Sequence, residues 1–270
     1  MDAKILDGVG EILRRTAAET VMPRFAMLKP GESEMKAPGE PVTVADREAE
    51  EMIAKRLLAL LPSARVIGEE ACAADPSLLD HLGEGSVWIV DPIDGTANFV
   101  AGRPPFAMMV ALLNDGETVG SWILDPLGNH LAVAERGSGA WINGERIVAA
   151  TSTPALNDLR GIISTAFCPP DRLVFVERIR GAIGEALPTA RCAGHEYPLV
   201  ATGQCDFALY WRTLAWDHAP GALLLTEAGG SVTYLDGTPY QPTCPQTGLL
   251  LTNNSAIMRV LVDSNLTCVS

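Results

Sequence analysis

Cysteine is sparse and scattered in this chain. Six thiols, at positions 72, 168, 192, 205, 244 and 268, form no Cys-x-x-Cys pair. That spacing excludes a zinc-knuckle site and a dense disulfide framework, and leaves free thiols in a reducing compartment as the expectation. Basic residues are also in deficit: 20 Lys and Arg stand against 33 Asp and Glu, for a net charge of −13. A nucleic-acid-binding surface would be basic, so no nucleic-acid partner is expected. No apolar run approaches the roughly 20 residues that cross a bilayer. The start, Met-Asp-Ala-Lys-Ile-Leu-Asp, lacks the basic segment and apolar core of a signal peptide. A cytoplasmic protein with no membrane partner is therefore expected. The four histidines (81, 130, 195 and 218) are dispersed and suggest structural or substrate contacts rather than a metal site. Internal repeats and low-complexity tracts are absent.

What is present is core material: 47% of 270 residues are hydrophobic, enough for one domain or two closely fused halves. The informative stretch is Trp88-Ile89-Val90-Asp91-Pro92-Ile93-Asp94-Gly95-Thr96-Ala97-Asn98-Phe99. Val87 to Val90 is an apolar, β-prone run of the kind that forms a buried strand. Pro92 then denies a ladder hydrogen bond, and Gly95 permits a backbone angle that other residues avoid. Two carboxylates three positions apart on a turn at a strand end offer hard oxygen ligands, the kind Mg²⁺ takes. Gly95 and Thr96 add exposed backbone N–H groups, and a helix starting there would turn its positive end toward an anion. Asp-x-x-Asp-Gly is also an ordinary turn sequence, so the stretch alone does not decide between a turn and a site.

Further motifs narrow the reading. Gly68-Glu69-Glu70 follows a short apolar run, and Trp216-Asp217-x-Ala-x-Gly221 leads into Glu227-Ala-Gly-Gly230. Val42-Thr43-x-x-Asp46 is a fourth, weaker match. In this order and spacing the motifs resemble the inositol monophosphatase family, part of the Mg²⁺-dependent, lithium-sensitive phosphatase superfamily that includes fructose-1,6-bisphosphatase. The resemblance spans roughly Val42 to Asn253. It implies an α+β fold, a five-layer αβαβα sandwich, and a homodimer. An N-terminal half (1–150) would carry most metal ligands. A C-terminal half (151–270) would carry Asp217 and the substrate-contacting segments.

The chain reads in order as follows. Residues 3–22 place Ile5, Val9, Ile12, Leu13 and Thr16 on one helical face, and Pro23 ends or kinks the helix. Residues 29–41, with three prolines and two glycines, read as a mobile loop. A second helix runs over 47–58 with Asp46 suited to its N-cap. Arg65–Ile67 is a short strand, and 71–85 a loop with a short helix. Adjacent acids Glu69 and Glu70 on an extended chain point in opposite directions. Strands over 107–113, 118–124 and 130–135 follow, with hairpin turns at Asn114-Asp115-Gly116-Glu117 and Asn143-Gly144. The second half alternates β runs (161–165, 207–210, 248–252) with helical patterns (173–183, 196–201, 218–227), so strands backed by helices are expected.

The resemblance implies a site. Two or three Mg²⁺ ions per subunit would lie among Glu69, Asp91, the Ile93 carbonyl, Asp94 and Asp217, with Asp91 bridging two of them. Glu69, Glu70 and Thr96 are the candidates to orient or deprotonate a water that attacks phosphorus in line. Asp46 would partner Thr96 or bind a third, weaker ion. The N–H groups of Gly95 and Thr96 would hold phosphate, and Asp94 and Asp217 would also face the substrate. The implied reaction is hydrolysis of a small phosphorylated metabolite such as inositol 1-phosphate. At the substrate end, Gly194-His195-Glu196-Tyr197 and Tyr210-Trp211-Arg212-Thr213 replace the small and acidic residues of inositol-specific members. Gly194, His195, Glu196, Tyr210 and Arg212 are thus the candidate substrate contacts, with Arg212 or His195 suited to a second negative group. The departure opens alternatives: histidinol phosphate, fructose 1,6-bisphosphate or 3′-phosphoadenosine 5′-phosphate as substrate, or a non-catalytic binding protein on the same fold.

Overall fold

A computed structural model describes residues 2–150 and 154–264. The chain begins with helix α1 (Ala3–Thr16), capped by the Asp2 side chain, and its helical path continues through a π-helical turn at Ala17–Val21. The helix expected over 3–22 is therefore present with its last turn widened. Where a mobile loop was expected over 29–41, the structure has a two-stranded antiparallel ribbon, β1 (Ser33–Ala37) and β2 (Glu40–Thr43). Pro38 falls in the connecting turn and Pro41 lies on a ribbon paired on one side only, where a missing N–H costs no ladder bond. Helix α2 (Val44–Leu60) starts earlier than expected. Its N-cap is Thr43, and Asp46 sits three residues in, closing a capping box by accepting from the Thr43 N–H. The expectation that Asp46 is itself the N-cap is thereby corrected.

Next come β3 (Arg65–Gly68), α3 (Glu69–Ala74), β4 (Ser86–Asp94), α4 (Thr96–Val100), β5 (Ala107–Asn114), β6 (Glu117–Asp125), β7 (His130–Glu135), β8 (Gly139–Ile142) and β9 (Glu145–Ile147). Among the described residues these seven strands form one sheet in sequence order, antiparallel throughout except for the parallel β3–β4 pair. Both expected hairpin turns are there. Asp115 and Gly116, and Asn143 and Gly144, all have positive φ, as a two-residue turn matched to strand twist requires. The second sheet uses β10 (Arg160–Ile163), β11 (Glu185–Leu187), β12 (Phe207–Tyr210), β13 (Ser231–Tyr234) and β14 (Leu249–Thr252), in the order β11-β10-β12-β14-β13. Its helices are α5 (Leu173–Ala182), α6 (Ala193–Ala201), α7 (Ala215–Ala228) and α8 (Ser255–Asp263). The join expected near residue 150 borders 151–153, and Cys268 falls at the C-terminus; both positions lie outside the described residues. The other five cysteines are free thiols.

Burial shows the layers. Val9 and Leu13 of α1 and Ile53 and Leu57 of α2 pack on Trp88, Val90 and Trp122 of the first sheet. Val87 and Ile89, alternating with those, turn the other way toward Trp216 and Ala219 of α7. Both faces of β4 are thus covered, which is why it reads as an unbroken apolar run. Helices α6 and α7 fill the space between the sheets, where Tyr197, Val200 and Leu224 meet Met109, Ile123 and Leu251. Helix α7 is apolar nearly all round, as a helix between two sheets must be. Phe175, Ile179, Ile257 and Leu261 of α5 and α8 cover the far face of the second sheet. The result is an α+β sandwich of five layers, αβαβα. Each fully buried Leu, Ile or Phe in these layers contributes about 1.5–3 kcal/mol relative to exposure.

Candidate active site

Elements of both halves open onto one cavity of about 180 Å³. The irregularity in β4 is its starting point: Asp91 pairs with Met109 and Asp94 with Ala107, so the ladder slips between them at Pro92. The slip places Asp91, Ile93 and Asp94 in the cavity wall together. Gly95 follows with φ +86°, and a Cβ there would come within 3.1 Å of the Pro105 carbonyl and 3.2 Å of Cys192 Cβ. Glycine is required on both counts. Thr96 opens α4 with its hydroxyl 2.8 Å from the Ile93 carbonyl and 3.1 Å from Asp46 Oδ1. Glu69 enters from the start of α3 and Asp217 from the first turn of α7.

Asp91, Asp94 and Asp217 are all held above the ordinary carboxylate range, first by burial; Glu69 and Asp94 add to the rise at Asp91 and Asp217, and Glu196 and Glu69 add to it at Asp94 against hydrogen bonds from the Gly194 N–H and Cys192. Asp46 is pushed up to about 7, again mainly by burial. Such a gathering of acids lacks enough protein cations to balance it. Lys36 of β1 reaches in with Nζ 2.7 Å from both Glu69 Oε1 and Glu70 Oε1. Burial works against its charge, but the two carboxylates hold its pKa raised. The expectation that Glu69 and Glu70 point apart is corrected here: they begin a helix, not an extended strand, and converge on one ammonium. Among the described residues no group of three or more His, Cys, Asp or Glu side chains is placed to hold a metal ion as it stands. The donor set nevertheless fits Mg²⁺, since hard carboxylate oxygens and a carbonyl share one acidic cavity and a lysine ammonium already stands where positive charge is favoured.

The opposite wall belongs to the second half. Tyr210, Arg212 and Asp217 line the cavity as expected, with Arg191, Cys192 and Ala193 from the start of α6. Two expected contacts are elsewhere. His195 lines a separate groove with Phe106, Asp125 and His130, because two helical positions from Ala193 is about 200° around the axis. Glu196 is fully buried and serves as a brace. It accepts from Thr189 Oγ1 at 2.7 Å, from the Ala190 N–H at 2.5 Å, and from the Tyr210 hydroxyl. Gly194 reaches the site through its backbone alone, donating to Asp94 Oδ2 at 2.6 Å. A Cβ at Gly194 would lie 2.7 Å from Ala107 Cβ. Arg212 pairs with Glu40 of β2 and stacks 3.8 Å from the Phe167 ring centroid, so its charge is already engaged. Trp211 is a buried strand-end residue donating to the Ser164 carbonyl at 3.0 Å. His218 is buried between the Tyr197 hydroxyl and the Arg212 carbonyl, and burial pulls its pKa down to about 4.

Several residues escaped the sequence reading. Lys36 and Glu40 lay in a segment read as a loop. Glu50 was passed over on α2, yet it is buried and its carboxylate accepts from the N–H groups of Glu70 (2.8 Å) and Ala71 (2.9 Å). A Cβ at Gly68 would stand 2.2 Å from the Glu50 carboxyl carbon, which ties Gly-Glu-Glu to its glycine. The signal was available: Glu50 follows Asp46 by one helical turn on the same face as Ala49, Ile53 and Leu57.

The model of the inositol monophosphatase family matches residues 4–266. An inositol-1-monophosphatase of Mesorhizobium japonicum is 33% identical over 232 residues, covering 84% of each chain. The chain belongs to the inositol monophosphatase family. The family is one of Mg²⁺-dependent phosphatases, and its reaction class is phosphoric monoester hydrolysis. The Nus factor SuhB of Pseudomonas aeruginosa is 32% identical over 207 residues, 73% of each chain. Among solved structures, the IMPase of Thermotoga maritima superposes with a TM-score of 0.76 at 27% identity, covering 96% of this chain and 98% of its own. Among the described residues no helix is long and apolar enough to cross a membrane.

Proposed function

We propose that this member of the family hydrolyses a small phosphorylated metabolite in the cavity at the β4 end, with Mg²⁺ bound by Glu69, Asp91, the Ile93 carbonyl, Asp94 and Asp217. The observation that carries the reading is the meeting of four carboxylates, from β4, α3 and α7, on one cavity beside the backbone start of α4. The ion would supply Lewis acidity at the phosphate and a water of lowered pKa. The chain's own groups do the rest. The N–H groups of Gly95 and Thr96 donate to phosphate oxygens at the start of α4. The Thr96 hydroxyl, bracketed by Asp46 and the Ile93 carbonyl, orients the attacking water and passes its proton toward Asp46 Oδ1, 3.1 Å away. Glu70 stands beside Glu69 as a second acceptor. Asp217, across the cavity, faces the leaving alcohol.

A non-catalytic reading, a partner-binding protein on this fold, would be favoured by a broken acid set; here the set is whole. The test is phosphate release with Mg²⁺ from inositol 1-phosphate, histidinol phosphate, fructose 1,6-bisphosphate and 3′-phosphoadenosine 5′-phosphate. Turnover of at least one, suppressed by millimolar Li⁺, is the expected result. No release from any ester with Mg²⁺ present would favour the partner-binding reading.

A further inference from the structure

Asp217 stands between two side chains that anchor on different halves of the molecule. Trp216 packs with Ile67, Ile89 and Ala111 of the first sheet. His218 is buried on the other side, its ring centroid 5.1 Å from that of Tyr210 on β12 and 5.9 Å from that of Tyr197 on α6. Its two nitrogens have set roles. Nε2 lies 2.9 Å from the Arg212 carbonyl, which can only accept, so Nε2 carries the proton. Nδ1 lies 3.0 Å from the Tyr197 hydroxyl. Burial keeps the imidazole neutral, so Nδ1 accepts from that hydroxyl. Helix α7 begins without a side-chain cap at Leu214. The bond from His218 back to Arg212 closes the start of the helix into a loop that contains Asp217. Tyr210, set edge-on to the imidazole, is in turn held by Glu196.

A buried imidazole bonded at both nitrogens can simply hold a core together. This one is fastened to three separate segments and sits next to a carboxylate assigned to the metal, where a shift of the backbone moves a donor oxygen. We propose that His218 is a positioning residue for the metal centre: donating to the Arg212 carbonyl and accepting from Tyr197, it keeps Asp217 facing Asp91 and Asp94, so that the α7 carboxylate shares Mg²⁺ with them. This rests on the metal assignment in the reading above and deepens it.

The test titrates Mg²⁺ into the full chain by calorimetry, without substrate, and compares variants that keep different atoms of the imidazole. In His218→Gln the amide nitrogen takes the place of Nε2. In His218→Asn only the place of Nδ1 is filled and the Arg212 carbonyl loses its donor. His218→Asn should bind Mg²⁺ about tenfold more weakly than the wild type, and His218→Gln should recover most of that affinity. At saturating Mg²⁺, kcat should fall less than the affinity does. The nitrogen NMR spectrum of the wild type should show His218 protonated at Nε2 and bare at Nδ1. A merely structural role would lower the melting temperature of both variants and leave Mg²⁺ affinity unchanged. That result, equal affinity in the Asn and Gln variants, or a proton on Nδ1 overturns the proposal. If either variant fails to fold, Tyr197→Phe, which deletes a single oxygen, decides: a severalfold loss of Mg²⁺ affinity supports the proposal and none overturns it. Wild type that binds no Mg²⁺ overturns the metal assignment with it, whereas Mg²⁺ binding without phosphate release sinks only the phosphatase reading.

Discussion

The two walls of the cavity are built by different means. The acid wall comes from backbone events: a slipped strand end at Asp91–Asp94, a strand-to-helix switch at Gly68–Glu69, and the first turn of α7 at Asp217. The substrate wall comes from side chains leaning on side chains, with Glu196 bracing Tyr210 and Thr189, Phe167 under Arg212, and Glu40 across from it. Backbone events leave short motifs in sequence, because each needs a particular glycine, proline or acid at a fixed offset. Side-chain assemblies join residues far apart in the chain and leave no local trace. The grouping of the acids was therefore legible, though not the helix start at Glu69, and the contacts of the other wall were not.

The largest effect should come from the acid wall. Asp91→Asn keeps the acceptor for the Ile93 N–H, 3.0 Å from Oδ1, and removes one buried negative charge from a crowded group. Phosphate release should fall by about a thousandfold, while the melting temperature without Mg²⁺ stays the same or rises. Substantial turnover in this variant would remove Asp91 from the metal assignment. A collapsed fold would show instead that its charge is structural.

The second effect tests how the acid wall is held. Glu50 is pushed up to about 7 by burial, from an ordinary value of 4.5. A folded-state pKa above the unfolded one means that the folded protein holds the extra proton between those values, so stability is full below about 4.5 and is lost as pH rises through about 7. Asp46 adds to the same trend between 3.8 and about 7. Melting without Mg²⁺ should therefore occur at lower temperature at neutral than at mildly acidic pH. Glu50→Gln removes its share of that slope. It also leaves one of the Glu70 and Ala71 N–H groups without an acceptor, at about 1–3 kcal/mol. Half-saturation by Mg²⁺ should then need more metal, with kcat less affected. An unchanged pH slope in the variant would mean that Glu50 does not titrate in this range.

How much was readable follows the same division. The buried strand at Val87–Val90, both hairpin turns and the alternation of the second half followed from apolar period and turn chemistry, and the structure has them. The β1–β2 ribbon was missed because Pro and Gly signal a break in the ladder without saying on which side of a pair it falls. Glu69 and Glu70 were placed on an extended chain because Gly68, which ends the strand and caps the helix, carries no side chain to signal a helix start. The helix start there is supported by Glu50, which accepts from the Glu70 and Ala71 N–H groups 20 and 21 positions away. His195 and Glu196 were favoured over Arg191 and Cys192 because the start of α6 was set too late, and a shift of three residues in a helix start changes which side chains meet the cavity.

The smallest effect tests whether the walls are joined. Glu40 lies on the ribbon that also carries Lys36, and Arg212 lies between β12 and α7, so their ion pair links the ribbon to the substrate wall. Both side chains are about a third exposed, which limits the pair to about 0.2–1 kcal/mol. A double-mutant cycle with Glu40→Ala and Arg212→Ala should give a stability coupling in that range. The same cycle measured on KM should show coupling only if the ribbon helps shape the substrate wall. Additive effects on both would make the walls independent: Arg212 would then act through Phe167 alone, and the ribbon would serve the acids through Lys36.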